Sequence, residues 1–291
     1  MRVLLTGAGG QLGRDLMEAF AATSAGPADL IAIEHRHLDV SDEVAVREAV
    51  DAYRPEVVVN ATAWTDVDGC EGDPARAHRV NALGPWWLAR ACARRGARLV
   101  TISTDYVFSG VAPVDGAGQR RGWTEFDAID PINAYGRSKA AGEQLVRQTL
   151  AEHHIVRTAW VSGARGSNFV ATMLRLARER GRVAVVDDQF GSPTCTRDLA
   201  AAIVELAGSD HFGTWNRTNA GWCSWYDLAA AVFELTGVEV ELTAQPSAAL
   251  ERPAPRPAWS VLDATHAQTA GLRAMPDWRD GLERLLAELR G

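Results

Sequence analysis

Cysteine is scarce in this chain: four among 291 residues, with no Cys-x-x-Cys pair, are too few and too scattered for a disulfide framework or a thiolate metal site. Cys70, Cys92, Cys195 and Cys223 read as reduced, structural side chains, and no histidine cluster at ligand spacing accompanies them. Long apolar runs are missing too, since nothing approaches the ~18 residues a membrane span requires. After Met1 and Arg2 the run Val3 to Leu5 meets glycines at once, so no signal-peptide core is expected, and Asn60 and Asn216 match the glycosylation pattern by chance. Excess positive charge is absent: a net charge of -7 disfavours a duplex nucleic-acid partner, whose phosphates repel an acidic surface. A soluble, cytoplasmic protein is expected, with no membrane and no nucleic acid among its partners.

What is present is an alternation. Short runs rich in β-branched residues recur at Val3 to Thr6, Leu30 to Ile33, Val57 to Asn60, Leu99 to Ser103, Ile155 to Thr158 and Val183 to Val186. Helical patterns separate them: Leu12, Leu16 and Phe20 share one face, as do Val46, Val50 and Tyr53, and the stretch from Ala75 to Arg95 carries Leu83, Trp86, Trp87 and Cys92. Strands alternating with helices predict an α/β fold, a Rossmann-like doubly wound parallel sheet. The alternation weakens after about Trp160, where a smaller C-terminal α/β substrate-binding lobe is expected. The predicted division is a nucleotide-binding domain over residues 1–157, with a return segment near 188–215, and a lobe formed mainly by 158–291. Pro253, Pro255 and Pro257 mark an extended connector, and Asp280 to Arg290 a closing amphipathic helix.

Gly7, Gly10 and Gly13, in Gly-Ala-Gly-Gly-Gln-Leu-Gly, follow the first predicted strand and open the first helix. Glycines there permit a tight turn and close backbone approach, while the helix N-terminus offers free amides to a pyrophosphate. Gln11 and Leu12 belong to the same loop. The spacing is the Gly-x-x-Gly-x-x-Gly variant, and a turn of this kind can also serve only to let a helix pack closely. Glu34 closes the second strand where a carboxylate accepts from adenosine ribose hydroxyls, which favours NADH. Arg36, two residues on, suits the 2′-phosphate of NADPH, so the preference stays open. Asp39, Val40, Asn60, Ala61 and Thr62 fall where adenine and ribose contacts are expected, although strand-end and capping roles fit each of them equally.

Tyr135 and Lys139 lie one helical turn apart and project from one face. A cation ~5 Å from a phenol, at an effective dielectric of ~20, favours the phenolate by about 3 kcal/mol, so Lys139 is expected to make Tyr135 a better proton donor. Tyr-x-x-x-Lys is a common pattern by itself. Thr104 gives it meaning: with Ser103 and Asp105 it ends the predicted strand Leu99 to Ser103, at the sheet edge where ligands bind. There the Thr104 hydroxyl is expected to donate to a substrate carbonyl while Tyr135 delivers the proton and a nicotinamide the hydride.

Together with the glycine loop, the segments Val-Val-Asn-Ala-Thr-Ala-Trp-Thr-Asp-Val-Asp, Ser-Thr-Asp-Tyr-Val-Phe, Tyr-Gly-Arg-Ser-Lys-Ala-Ala-Gly-Glu and Asp-Asp-Gln-Phe-Gly-Ser-Pro-Thr make the chain resemble the dTDP-4-dehydrorhamnose reductase family of extended short-chain dehydrogenases/reductases. The resemblance implies catalysis by Thr104, Tyr135 and Lys139, with the dinucleotide contacting Tyr135 and Lys139 as well. It implies reduction at C4 of a nucleotide-activated deoxysugar, the family's own being dTDP-4-dehydro-L-rhamnose. It also suggests Thr65, Val67, Thr104, Asp105, Tyr106, Trp160 and Asn168 as substrate contacts. Trp160 and Tyr106 read equally as core aromatics, and Asn168 as a helix cap. Some members form magnesium-bridged dimers; Asp15 suits such a ligand, but Arg197 stands where a second acid is needed, so no metal is predicted, Asp198 beside it notwithstanding. A homodimer remains compatible.

A dehydratase of the same fold needs a second carboxylate after Asp105, and Tyr106 stands there instead. An epimerase of a related 4-keto sugar and a non-catalytic regulatory subunit complete the alternatives.

Overall fold

The computed structural model describes residues 1–23 and 29–290. Val3, Leu4 and Leu5 in β1 (Arg2–Thr6) and Val57, Val58 and Val59 in β3 (Val57–Asn60) are all buried. Continuous burial of this kind requires both faces of a sheet to be covered. With β2 (Asp29–Ile33), β4 (Arg98–Thr104), β5 (His153–Thr158) and the strand Gly213–Asn216 they form a six-stranded parallel sheet. Its order is Gly213–Asn216, β5, β4, β3, β1, β2. Helix α1 (Gln11–Ala21) packs beside Thr196–Ala207, their side chains sharing one apolar cluster. Helix α2 (Glu43–Tyr53), Gly84–Arg95 and Ala134–Thr149 pack in sequence over the other cluster. Strand order turns around at β1, with β2 on one side and β3 on the other, and the crevice beyond their carboxyl ends is the natural ligand site of such a sheet.

A separate core gathers the helices Phe169–Arg180, Trp225–Thr236 and Trp278–Arg290. The strand expected at Val183 to Val186 forms as Arg182–Val186, but it pairs with Glu241–Gln245 in a two-stranded parallel sheet of its own. Thr196–Ala207 and Gly213–Asn216 carry the chain back to the main sheet in between.

Three local expectations are corrected. Val46 and Val50 are buried, but Tyr53 is 41% exposed, beside Ile31 and Ile33 of the edge strand β2, where no further strand covers it among the described residues. The stretch from Ala75 to Arg95 is not one helix: Pro74–His78 passes through a wider π-helical turn, Arg79–Leu83, before Gly84–Arg95, which carries Pro85 in its first turn. That turn is anchored by Asn81, whose amide bonds the Trp64 backbone at both ends and the Ser138 hydroxyl. The proline run is more than a connector, since Pro257 lies against Gly110 and Arg256 forms a two-pronged ion pair with Asp68 at 2.7 and 2.8 Å. No helix among the described residues is long and apolar enough to cross a membrane.

Candidate active site

Gly7 follows β1 with φ +80° and places its own amide and that of Ala8 on the Ile33 carbonyl, 3.0 and 3.2 Å away. A Cβ on Gly13 would lie 2.1 Å from the Gly7 carbonyl oxygen, so only glycine lets α1 start this close to the loop. The N-cap Gly10 makes no side-chain cap, and the first turn carries no acid. The amides there and the positive end of the helix dipole are therefore left for an anion, a cradle that fits a dinucleotide diphosphate.

This loop forms one wall of a cleft of about 490 Å³. Gly10, Gln11, Leu12, Gly13, Ala61, Thr62, Thr65, Val67, Thr104, Asp105, Tyr106, Tyr135, Lys139 and Trp160 all line it. Several of the predicted residues do not. Gly7 lies beneath the loop. Asn60 is fully buried, accepting from Thr6 and Thr62 and donating to Thr101, so it braces β1 against β3 and β4. Val40 is packed under Gly84, and Asp39 accepts from the Ser41 amide and hydroxyl. Glu34 and Arg36 pair with each other at 3.2 Å, both well exposed, with Glu34 lying against Gly9 of the loop. Asn168 caps Phe169–Arg180 by accepting from the Ala171 amide and donates to the Gly163 carbonyl, which commits its side chain.

The opposite wall is built by the helix Ala134–Thr149, capped by Asn133, whose Oδ1 accepts from the Gly136 amide at 2.8 Å. The helix sits unusually close to the turn after β4: a Cβ on Gly136 would come within 2.1 Å of the Tyr106 carbonyl oxygen. Tyr135 thereby reaches Thr104, whose hydroxyl hydrogen-bonds the phenol, and meets Tyr106 edge-on with ring centroids 5.7 Å apart. Lys139, a turn later, donates to the Ile102 carbonyl at 2.6 Å.

The electrostatics differ from the expectation drawn from spacing. Burial pushes the Tyr135 phenol well above its ordinary value; the Thr104 hydrogen bond works against that, and Asp105 adds to it. Burial likewise lowers Lys139 to about 8, with the Glu143 carboxylate opposing. Burial thus sets both groups, because an interior that excludes water penalises phenolate and ammonium alike, and Lys139 is not among the groups that shift the phenol. Tyr135 rests as a neutral phenol, the form from which a proton is given.

Thr104 is corrected as well. Its hydroxyl lies 2.9 Å from Asp105 Oδ1, and against a carboxylate it must be the donor, leaving its lone pairs to the Tyr106 amide at 3.2 Å and to Tyr135. It is not free to donate to a substrate carbonyl while Asp105 is charged. Asp105 is 3% exposed and raised to about 6 by burial, against hydrogen bonds from Ser260, Thr104 and nearby amides.

Trp160 holds φ +48° and stacks on Trp225 with centroids 3.5 Å apart and planes 7° from parallel; it lies over Gly191, which has no room for a side chain. Trp225, Ile102 and Glu143 were not foreseen. Glu143 is fully buried, bound by Arg157 at 2.9 and 2.7 Å, by Arg147 and by the Ser103 hydroxyl at 2.6 Å. Its place four residues after Lys139 was a readable signal. Arg197 pairs with Glu288 and Asp198 with Arg284, both at 2.6–2.7 Å. No group of three or more His, Cys, Asp or Glu side chains among the described residues is arranged to hold a metal ion.

The family model described as the RmlD substrate binding domain matches residues 1–290. A dTDP-4-dehydrorhamnose reductase of Streptomyces griseus is 43% identical, covering 100% of this chain and 94% of that protein. A dTDP-4-keto-6-deoxy-D-glucose reductase of Streptomyces niveus is 41% identical over 97% of this chain and 95% of its own length. Among solved structures, dTDP-4-dehydrorhamnose reductase from Bacillus anthracis in complex with NADP superposes with a TM-score of 0.92 at 38% identity, covering 99% of each chain.

Proposed function

The chain belongs to the family of the RmlD substrate binding domain, and on that premise we propose that it is an NAD(P)H-dependent reductase of the C4 keto group of a nucleotide-activated deoxysugar, converting dTDP-4-dehydro-L-rhamnose to dTDP-L-rhamnose. The observation that carries this reading is the convergence of Thr104, Tyr135 and Lys139 on one wall of the cleft whose other wall is the glycine loop.

The loop amides and the start of α1 hold the dinucleotide diphosphate, Glu34 accepts from ribose hydroxyls, and Arg36 meets a 2′-phosphate, so either dinucleotide is accommodated. A reduced nicotinamide, when bound, supplies the hydride. Tyr135 holds a proton and gives it to the C4 carbonyl oxygen. Lys139, fixed on the Ile102 carbonyl, opposes the charge left on the phenolate. Thr65, Val67 and Tyr106 line the sugar-nucleotide side, and the Trp160–Trp225 stack keeps water from the reacting carbon. The same reading places the enzyme in the cytoplasm, with four free, buried cysteines in support, and carries a homodimer, for which light scattering should return twice the chain mass.

Purified protein should oxidise NADPH when given dTDP-4-dehydro-L-rhamnose, with dTDP-L-rhamnose identified by NMR. Tyr135→Phe should lower kcat by ~10²-fold or more with NADPH affinity within a few-fold of wild type. Turnover unchanged by that substitution overturns the assignment of Tyr135. The Streptomyces niveus relative names a different 4-keto sugar, which makes that sugar the second reading; turnover of it in preference to the first decides between them.

A further inference from the structure

Once a buried phenol has given up its proton it must be recharged before the next turnover. Tyr135 is only 9% exposed, and Lys139 donates one of its three ammonium N–H bonds to a backbone carbonyl. The other groups facing this corner are Tyr106 on the turn after β4, the Cys70 thiol packed with Tyr135, Ser260 and Arg252 from the extended C-terminal segment, and Arg256, which is held by Asp68. Between Tyr135 and Asp105 stands a single hydroxyl, that of Thr104, bonded to both. Asp105 is buried among these groups with one carboxylate oxygen, Oδ2, lacking a hydrogen-bond partner among the described residues, an arrangement more costly for a carboxylate than for a carboxylic acid.

We propose that Asp105 is the proton reservoir of this site, returning a proton to Tyr135 through the Thr104 hydroxyl after each reduction. The inference rests on the reductase reading above. In the step, the Asp105 O–H bond breaks as its proton passes to Thr104. The original O–H of Thr104 breaks as that proton passes to the Tyr135 phenolate, re-forming the phenol. Asp105 is left as a carboxylate and recovers a proton from water when product leaves the cleft it lines. Burial favours the direction, because it holds the phenol far above the carboxyl, so the proton moves downhill to Tyr135. The protonation of Asp105 also sets which way Thr104 points: towards the carboxylate when Asp105 is charged, towards the tyrosine when it is not.

The test is pre-steady-state NADPH oxidation by Asp105→Asn, whose amide oxygen can still accept from Thr104. The expected result is a burst of about one NADPH per site, the first turnover slowed only a few-fold, then a steady rate at least tenfold below wild type. Wild type should show no burst, and its kcat should fall with rising pH, a dependence the variant loses. Thr104→Val, which cuts the same chain one step earlier, should burst likewise, and melting curves with NADPH titrations establish that both variants are folded. A variant without a burst, with its first turnover as slow as the later ones or with the wild-type pH dependence, overturns the proposal. Failure of wild type to oxidise NADPH with any dTDP-4-keto sugar instead overturns the functional reading beneath it.

Discussion

Lys139 is the single lysine among the 30 lysines and arginines of this chain, and it occupies a position where arginine would not do. Arginine stays charged wherever it is placed, whereas a buried lysine gives way to its surroundings. Arg157 is as deeply buried as Lys139, but two hydrogen bonds that it donates to the Glu143 carboxylate compensate it. Lys139 has one carbonyl, and burial lowers it to about 8 from an ordinary 10.5. Between those two values the unfolded chain holds the proton that the folded chain releases, so stability rises with pH through that window and the deficit is full below pH 8. Replacing Lys139 by Met should therefore leave the protein as stable as wild type at neutral pH or more so, by roughly 1–2 kcal/mol once the lost bond to Ile102 is counted. Its kcat/KM should nevertheless fall ~10²-fold. Thermal melts at pH 7 beside steady-state rates check both halves, and a melting temperature several degrees below wild type sinks the argument. In wild type the same group predicts that kcat/KM for reduction declines above about pH 8, as the charge opposing the phenolate is lost.

At the scale of an element, the site depends on how closely the helix Ala134–Thr149 approaches the turn Asp105–Val107. Gly136 lies where any Cβ would strike the Tyr106 carbonyl oxygen at 2.1 Å, and Gly142 where one would strike that of Asn81 at 2.4 Å. Gly136→Ala improves helix propensity by about 1 kcal/mol, yet backbone cannot yield as a flexible side chain can, so the helix must move. The expected outcome is a net loss of about 1–3 kcal/mol in denaturant unfolding and a kcat reduced at least tenfold, because Tyr135 is the neighbouring residue. Wild-type activity in that variant would show that the close approach is not needed. This approach also marks the limit of what could be read beforehand. The β-branched runs of β1 to β5 were visible because both their faces are buried. Gly213–Asn216 was not, since Gly-Thr-Trp-Asn at the sheet edge has no apolar run, and Val183 to Val186 looked like any other strand although it pairs outside the main sheet. Thr104, Tyr135 and Lys139 were legible from local spacing. Trp225, which reaches the cleft from a segment remote in sequence, and the Arg256–Asp68 pair, which ties two remote segments together, were not. The direction of the Thr104 hydroxyl depends on Asp105 being buried, which no spacing reveals.

For the whole molecule the most consequential buried base is His154, in β5 between β4 and Gly213–Asn216. It is fully buried, neither ring nitrogen has a hydrogen-bond partner among the described residues, and its ring lies 5.2 Å from that of Phe212. Burial lowers its pKa to about 4 from an ordinary 6.5. Between those values the unfolded chain binds a proton that the folded chain refuses, so stability is lost as pH falls through the window, by roughly 2 kcal/mol at pH 5. Asp105 works the other way: raised to about 6 from 3.8, it takes up a proton in the folded state first and so offsets part of that loss below pH 6. The balance separates cleanly by mutation. His154→Leu, close in volume, removes the titration and leaves Asp105 in place, so between pH 7.5 and 5 its unfolding free energy should rise relative to that of wild type by ~2 kcal/mol. Asp105→Asn should do the reverse, being the more stable protein at pH 7.5 and losing stability more steeply on acidification. Urea unfolding of the three proteins at the two pH values reads both differences. Parallel pH dependence in all three would place the acid sensitivity of this sheet elsewhere.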